Sequence, residues 1–212
     1  MNPSRTDRSG YHHGDLANAL TKAATELART GGPEAVVLRE AARQVGVSAT
    51  AAYRHFAGHS ELIHAVKEYA LSRLGAAMQV ELAATDPLPD PAEDAYRRLA
   101  ALGRGYLNFA VAEPGLFRTA FCHADKPTFD SLDKDPNATE PYRLLSAVLD
   151  DLVAVGSLDL DRREYAETMA WSTVHGLALL MLEGPLQNLP QEVYDAVVNR
   201  LTAFVRDGLT TR

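Results

Sequence analysis

The stretch from Leu38 to Phe56, LREAARQVGVSATAAYRHF, decides the fold, because it contains two short helical segments separated by Gly46. Ala41 and Ala42 are small enough to let a second helix cross the first closely and at a sharp angle. Glycine can take the left-handed conformation that ends a helix at no steric cost. The stretch therefore predicts a helix-turn-helix.

The two helices of this motif are predicted over Leu38–Val45 and Ala49–His55, and the side chain of Ser48 can cap the second by accepting a backbone N–H. Ala52 and Phe56 are expected to point inward. A helix this small can enter the major groove of DNA, which is about 12 Å wide. The candidate DNA contacts, on and around its outer face, are Arg39, Ser48, Ala49, Thr50, Tyr53, Arg54, His55 and His59.

The sequence specifies direct recognition of bases poorly, because Ala49, Thr50 and Ala51 are small and only Arg54 has the reach that suits a bidentate contact with guanine. Thr50 or Ala49 could contact a thymine methyl group. The alternative for Tyr53 is a half-buried ring with its hydroxyl in water. The alternative for Arg39 is a solvated helix face.

The rest of the sequence is predicted to be all-α, because apolar residues recur at three- and four-residue spacing almost throughout. The first helix is expected from Asp15 to Gly31, and a long helix begins near Gly58. Three prolines within 87–91 then mark a boundary, since proline is disfavoured inside a helix. Later helices are expected at about 91–112, 114–123, 140–156, 161–183 and 190–208.

These signals divide the chain into a flexible arm over residues 1–14, a helix-turn-helix domain over 15–60, and a larger helical bundle over 85–212, with a linking helix at about 59–84. Residues 1–60 hold seven Lys and Arg against five Asp and Glu, whereas residues 61–212 hold 14 against 23. A mildly basic N-terminal part suits an approach to phosphate, and the acidic remainder favours solubility.

Several classes of protein are disfavoured. The single cysteine, Cys122, excludes an internal disulfide, and no apolar run approaches the roughly 20 residues that span a bilayer. Residues 1–15 are polar, without a leader pattern, so a cytoplasmic protein without membrane association is expected. An all-helical enzyme using Cys122, His123 or His175 is a remote alternative, because no orienting acid or metal-ligand cluster stands at a recognisable spacing. We expect no catalytic site, metal or cofactor.

A candidate ligand site lies in the C-terminal part. Trp171 and His175 are four residues apart and share a helix face. One interpretation is a buried core in which His175 is satisfied and Gly176 permits close packing. The alternative is an apolar pocket with one polar handle, as ligand sites usually have. That pocket would be lined by Phe109, Phe117, Phe121, Trp171, His175 and Leu177.

Four short segments carry a resemblance to a known family: GVS at 46–48, YRHF at 53–56, YHHGDL at 11–16 and WSTVHGL at 171–177. The first two resemble the TetR family of transcription regulators, and the other two resemble its branch named for a Trp-His-Gly signature. The resemblance implies that the second helix of the motif enters the major groove and that Tyr53 and His55 touch phosphates. Family members often carry Lys in place of His59 and Ser or Thr in place of Val37.

The resemblance also implies a homodimer that places two recognition helices about 34–36 Å apart on a pseudo-palindromic operator. The last two helices carry enough apolar residues to serve both their own core and a symmetry mate, although a monomeric bundle is the alternative. A repressor that responds to an unknown small molecule is implied. An activator, or a regulator without a ligand, is the alternative.

Neutral His59 attracts phosphate weakly until it is protonated, so somewhat weaker or more pH-dependent operator binding is expected.

Overall fold

The computed structural model describes residues 13–122 and 139–210, and the regular elements in these two ranges are all helices. The predicted all-α class is confirmed. A short 3-10 helix, Pro33–Ala35, joins the first helix to the second. The α-helices are α1 His13–Gly31, α2 Leu38–Val45, α3 Ala49–Ala52, α4 His59–Ala83, α5 Pro91–Ala112, α6 Pro114–Phe121, α7 Glu140–Ala154, α8 Leu160–Arg163, α9 Ala166–Leu182 and α10 Gln191–Thr210.

The N-terminal helices form a small head around short side chains. α1 packs against α2 and α3, and Leu20, Ala24, Ala41 and Ala42 are buried where they meet. Phe56, which follows α3, is buried with them. Alanines at these positions let helix axes approach closely, which is what the sharp crossing within the motif requires.

Helix α4 connects the head to the larger bundle. It begins directly after the helix-turn-helix and packs against α5, α6 and α7. At Gly105 of α5 the two backbones touch, since an added Cβ would lie 2.6 Å from the Cα of Met78. A displacement of α4 relative to the bundle would therefore also move the head.

Two predicted helix bounds are wrong. α1 begins at His13 rather than at Asp15, so Asp15 lies within the helix instead of before it. The helix expected over 161–183 is broken, because Glu164 is extended and Tyr165 is left-handed with φ 60°. The break lets Arg163 pair both with Asp150 of α7 and with Glu167 of α9.

The remaining differences are small. α3 is shorter than the predicted 49–55, because the backbone after Ala52 changes to i→i+3 hydrogen bonds at Arg54 and His55. The predicted arm lies outside the described residues except at positions 13 and 14, and His123 also lies outside them. Within the described ranges, no helix has the combined length and hydropathy of a membrane span.

Candidate nucleic-acid interface and effector site

The turn between α2 and α3 has the geometry that the sequence predicts. Gly46 is left-handed, with φ 78° and ψ 28°, and its N–H donates to the carbonyls of Ala42 and Arg43. Ser48 caps α3 by accepting the N–H of Ala51 at 3.1 Å from its Oγ. Val37, at the start of α2, supplies no side-chain cap. The orientation of α3 is thus fixed by a backbone turn and a hydroxyl cap.

The first prediction concerns this turn. Replacing Gly46 with alanine should lower the free energy of unfolding by about 1–2 kcal/mol, because a Cβ disfavours the left-handed conformation. An added Cβ would contact nothing within 4 Å, so the loss would come from backbone strain alone. Urea denaturation followed by circular dichroism measures it. Gly46→Asn is the matched variant and should lose less, since asparagine tolerates this conformation; equal losses would contradict the explanation.

The candidate DNA contacts lie on and beside α3, and most of them are exposed. Tyr53 has 47% of its surface exposed. Ala49 and His55 are only partly exposed. The exposed candidates are Arg39, Ser48, Thr50, Tyr53, Arg54 and His59.

The arginines of the head differ in whether they are already paired with a carboxylate. Arg43 donates two hydrogen bonds to Glu40, at 2.9 and 2.6 Å, and these hold the pKa of the Glu40 carboxyl below its ordinary value. Arg54 forms no ion pair within residues 13–122 and 139–210. At the start of α4, Glu61 accepts the N–H of Ala57 at 2.6 Å, close in sequence to His59. Arg54 is therefore better placed than Arg43 to bind an external partner.

The predicted effector site contains a cluster of aromatic rings from three helices. Phe117 and Phe121 come from α6, Trp171 and His175 from α9, and Tyr106 from α5. Ring centroids of contacting pairs are 4.7 to 6.3 Å apart, and Phe117 stacks on His175 with an interplanar angle of 29°. These contacts fill the space between the rings. We call these five residues the aromatic cluster.

A chain of hydrogen bonds crosses the aromatic cluster. Trp171 donates from Nε1 to Tyr106 Oη at 3.1 Å, and Tyr106 Oη lies 2.7 Å from Nδ1 of His175. Because a buried hydroxyl hydrogen needs an acceptor, Nδ1 is best assigned as unprotonated, which places the ring hydrogen on Nε2. Burial raises the pKa of Tyr106 and lowers the pKa of His175, so both groups are neutral near pH 7.

Two of the six residues predicted to line a pocket lie elsewhere. Leu177 faces a groove of about 330 Å³ between α9 and α10. Phe109 is buried on α5, but within the described residues no ring contact joins it to the aromatic cluster. Tyr106 was missed by sequence reasoning, because its partners Trp171 and His175 lie 65 and 69 residues away and no local spacing relates them.

The second prediction concerns the pH dependence of stability. His175 has a lowered pKa in the folded state, so on acidification the unfolded chain binds a proton before the folded chain does. The free energy of unfolding should therefore fall as the pH drops below about 6.5, until the folded-state pKa is passed. In His175→Asn the amide oxygen can still accept from Tyr106 but does not titrate. Denaturation at several pH values should give a flatter profile for this variant; an unchanged slope would contradict the assignment.

Helix α6 links the aromatic cluster to the head. At its start, a Cβ on Gly115 would lie 2.3 Å from the carbonyl oxygen of Ala28 and 2.4 Å from that of Arg29, both in α1. Arg29 also donates to Glu113 at 2.7 Å. At the other end of α6, Lys67 of α4 donates to the Cys122 carbonyl at 2.7 Å. The helix that carries two cluster rings thus touches both α1 and α4.

The described residues of the enzyme alternative, Cys122 and His175, have surroundings that do not favour catalysis. Within residues 13–122 and 139–210, no three His, Cys, Asp or Glu side chains are grouped so as to hold a metal ion. Burial raises the pKa of the Cys122 thiol, which disfavours the nucleophilic thiolate. His175 is engaged with Tyr106.

The fold and the candidate site define a helix-turn-helix protein with a helical C-terminal domain. Residues 20–66 match the family model described as "Bacterial regulatory proteins, tetR family", and residues 99–205 match "Tetracyclin repressor-like, C-terminal domain". The chain belongs to the TetR family of transcription regulators. Regulators of this family bind DNA and dimerise.

Solved structures of similar fold cover nearly the whole chain. A protein of unknown function from Rhodococcus sp. RHA1 is 26% identical, with a TM-score of 0.73 over 96% of this chain and 100% of its own. A TetR family transcription regulator from Marinobacter aquaeolei VT8 is 16% identical, with a TM-score of 0.65 over 93% of this chain and 96% of its own. A putative TetR family transcription regulator from Shewanella sp. PV-4 is 14% identical, with a TM-score of 0.64 over 93% of this chain and 99% of its own. No curated protein matches this chain.

Proposed function

We propose that this protein is a homodimeric, ligand-responsive transcription repressor that binds a pseudo-palindromic operator and works in the cytoplasm, where the bacterial chromosome lies. The observation that carries the proposal is the geometry of α3. Its orientation is fixed by Gly46 and Ser48, and it exposes Thr50, Tyr53 and Arg54 on the side away from the head's core. The head over 15–60 is the DNA-binding domain, and 85–212 binds ligand and dimerises.

The proposed contacts divide into two kinds. Arg54 would read a base edge in the major groove, with Thr50 and Ala49 beside a thymine methyl group. Tyr53, His55 and His59 would bind phosphates, helped by the backbone N–H groups at the start of α4. Arg39 and Ser48 would flank these contacts. Phosphate contacts fix the position of the head, and base contacts supply specificity.

The test is binding of the purified full chain to the intergenic DNA upstream of its own gene, measured by fluorescence anisotropy at low and high salt. Tight binding that weakens steeply with salt is expected, because phosphate contacts release counterions. Tyr53→Phe removes one hydroxyl and should weaken binding, whereas the same change at Tyr69, on α4, should not. If genomic fragments from the rest of the chromosome also fail to bind, the proposal is refuted.

The proposed dimer interface is the face formed by α9 and α10. Met169 and Leu180 on α9 are 57% and 45% exposed, and Phe204 on α10 is 66% exposed. Exposed apolar patches of this kind mark interaction sites. A second copy related by a two-fold axis would build a four-helix interface from these two helices.

The effector is proposed to enter between the rings of the aromatic cluster. His175 would present its Nε2–H as the polar handle, which favours an apolar, ring-containing molecule with a hydrogen-bond acceptor. Separating Phe117 and Phe121 from Trp171 would displace α6, which touches α1 and α4. The spacing of the two heads would then change. The ligand would release the operator to the extent that it binds this altered spacing more tightly than the operator-bound one.

A regulator without a ligand is the second candidate, and the ring-to-ring packing of the aromatic cluster favours it. Trp171 is the protein's single tryptophan, so its fluorescence reports on this cluster directly. Uncharged aromatic carbonyl compounds that change Trp171 emission and release operator DNA together would support the ligand-responsive form. Release without an emission change would exclude the cluster as the effector site.

A further inference from the structure

The link between α3 and α4 lies at the surface between two buried anchors. Phe56 on one side and Leu62 on the other are buried. Ala57, His59 and Glu61, which lie between them, are exposed. Packing in the head therefore fixes the two ends of the link and leaves its middle to local hydrogen bonds.

Helix α4 begins without a side-chain cap at its N-cap residue. That residue is Gly58, which has no side chain to accept a backbone N–H. A Cβ at this position would meet no atom within 4 Å, so lack of space does not require a glycine there. Because glycine also loses more backbone freedom on folding than any other residue, the start of α4 depends on another group to hold it.

Glu61 is that group. It is the third residue of α4, and its Oε2 accepts the N–H of Ala57 at 2.6 Å. In a capping box, a glutamate at this position accepts the N–H of the N-cap residue itself. Here the carboxylate reaches one residue further back and closes the segment 57–61 into a loop that contains His59.

We propose that Glu61 is a positioning residue for DNA binding, whose hydrogen bond to Ala57 favours binding and whose charge opposes it. The proposed phosphate contacts come from both sides of the link, with Tyr53 and His55 before it and His59 within it. A link that is already closed in the free protein fixes the spacing of these contacts, so less ordering remains when DNA binds. The inference rests on the proposed DNA contacts and adds a residue that acts through them.

The charge of Glu61 acts against phosphate because it lies two residues from His59 at an exposed position. Residues 1–60 carry seven Lys and Arg against five Asp and Glu, so one further carboxylate removes a sizeable part of the head's positive charge. Exposed charges interact within about 10 Å at 0.1 M salt, and higher salt screens them. The repulsion should therefore fade as salt is raised, whereas the effect of the hydrogen bond should persist.

A pair of variants separates the two effects. Glu61→Gln keeps an oxygen that can accept the Ala57 N–H but carries no charge, and Glu61→Ala loses both. At low salt, Glu61→Gln should bind operator DNA roughly twofold to fivefold more tightly than the wild type. Glu61→Ala should bind roughly threefold to tenfold more weakly than Glu61→Gln at low and at high salt. Fluorescence anisotropy with the full chain measures all three affinities.

Glu68 provides the matched control on the same helix. It lies two turns beyond Glu61, its side chain is 71% exposed, and it pairs with His64 at 3.4 Å. Glu68→Gln and Glu68→Ala should therefore bind DNA alike. Unrelated DNA of equal length should show the same gap between the two Glu61 variants as the operator, because phosphate contacts carry no sequence information. Circular dichroism at the assay temperature should show both Glu61 variants folded, so that unfolded protein does not produce the gap.

The outcomes are distinct. Equal affinities of Glu61→Gln and Glu61→Ala, with the wild type bound, would overturn the positioning role. A Glu61→Gln protein that binds no more tightly than the wild type at low salt would overturn the opposing charge. A wild-type chain that binds neither the upstream fragment nor unrelated DNA at low salt would instead refute the proposed DNA-binding function itself.

Discussion

Replacing Gly115 with alanine is expected to lower the free energy of unfolding by about 3 kcal/mol or more. The added Cβ would lie 2.3 Å from the carbonyl oxygen of Ala28 and 2.4 Å from that of Arg29. Both atoms belong to the backbone of α1, so no side-chain rotation can relieve the overlap. The structure can accommodate the methyl group only by moving α6 away from α1.

The same substitution should also weaken the contact between the two domains. Gly115 is followed on α6 by Phe117 and Phe121, while the Arg29–Glu113 ion pair, at 2.7 Å, holds the start of α6 to α1. A shift of α6 would strain the ion pair and disturb the ring stacking on His175. We therefore expect the emission of Trp171 to change in the folded variant, in addition to the loss of stability.

Gly103→Ala is the matched control, because it adds the same methyl group inside α5 where the nearest atom is 3.7 Å away. That variant should be as stable as the wild type or slightly more stable, since alanine favours helix. Urea denaturation of both variants, with Trp171 emission recorded in parallel, provides the comparison. A Gly115→Ala protein as stable as Gly103→Ala would show that α1 and α6 are not in backbone contact.

The head could be predicted almost residue by residue, because its determinants are local. A left-handed Gly46 and a capping Ser48 act on neighbouring backbone groups, so their spacing in the sequence fixes both the end of α2 and the start of α3. The bounds of α2 and α5 agree with the prediction for the same reason. Helix α5 begins at a proline, whose ring favours the first helical turn.

The aromatic cluster could be predicted only in part, because its determinants are distant in sequence. The four-residue spacing of Trp171 and His175 placed both on one face of α9, but the position of Tyr106 depends on how α5 packs against that helix. Leu177 lies on a different side of α9 and faces the groove shared with α10. The break at Tyr165 was missed because no glycine or proline marks it between Asp161 and Glu167, and the ion pairs of Arg163 with Asp150 and Glu167 depend on how the helices pack.

Replacing Arg54 with alanine is expected to weaken operator binding by about 2–6 kcal/mol, or roughly thirty-fold to twenty-thousand-fold. A bidentate contact with guanine contributes about 1–3 kcal/mol of discrimination, and a two-fold symmetric dimer makes it twice. Fluorescence anisotropy with the operator and with unrelated DNA of equal length measures the effect. The expectation depends on the exposed position of Arg54 after α3 and on its having no ion pair in the part of the chain that the structure describes.

Arg43→Ala removes the same charge from the same head and is the control. Because Arg43 is held by Glu40 through two hydrogen bonds, its removal should change operator affinity far less. Equal effects of the two changes would mean that only net charge matters and that Arg54 has no specific contact.

The salt dependence separates two roles for Arg54. If it reads a base, Arg54→Ala should lose affinity for the operator and little for unrelated DNA, with the slope of log K against log salt nearly preserved. If it binds phosphate, both DNAs should be bound more weakly, and the slope should fall by about 0.9 for each phosphate that the variant no longer neutralises, or about 2 for the dimer. The first result would assign sequence recognition to Arg54, and the second would transfer it to the smaller side chains of Ala49 and Thr50 on α3.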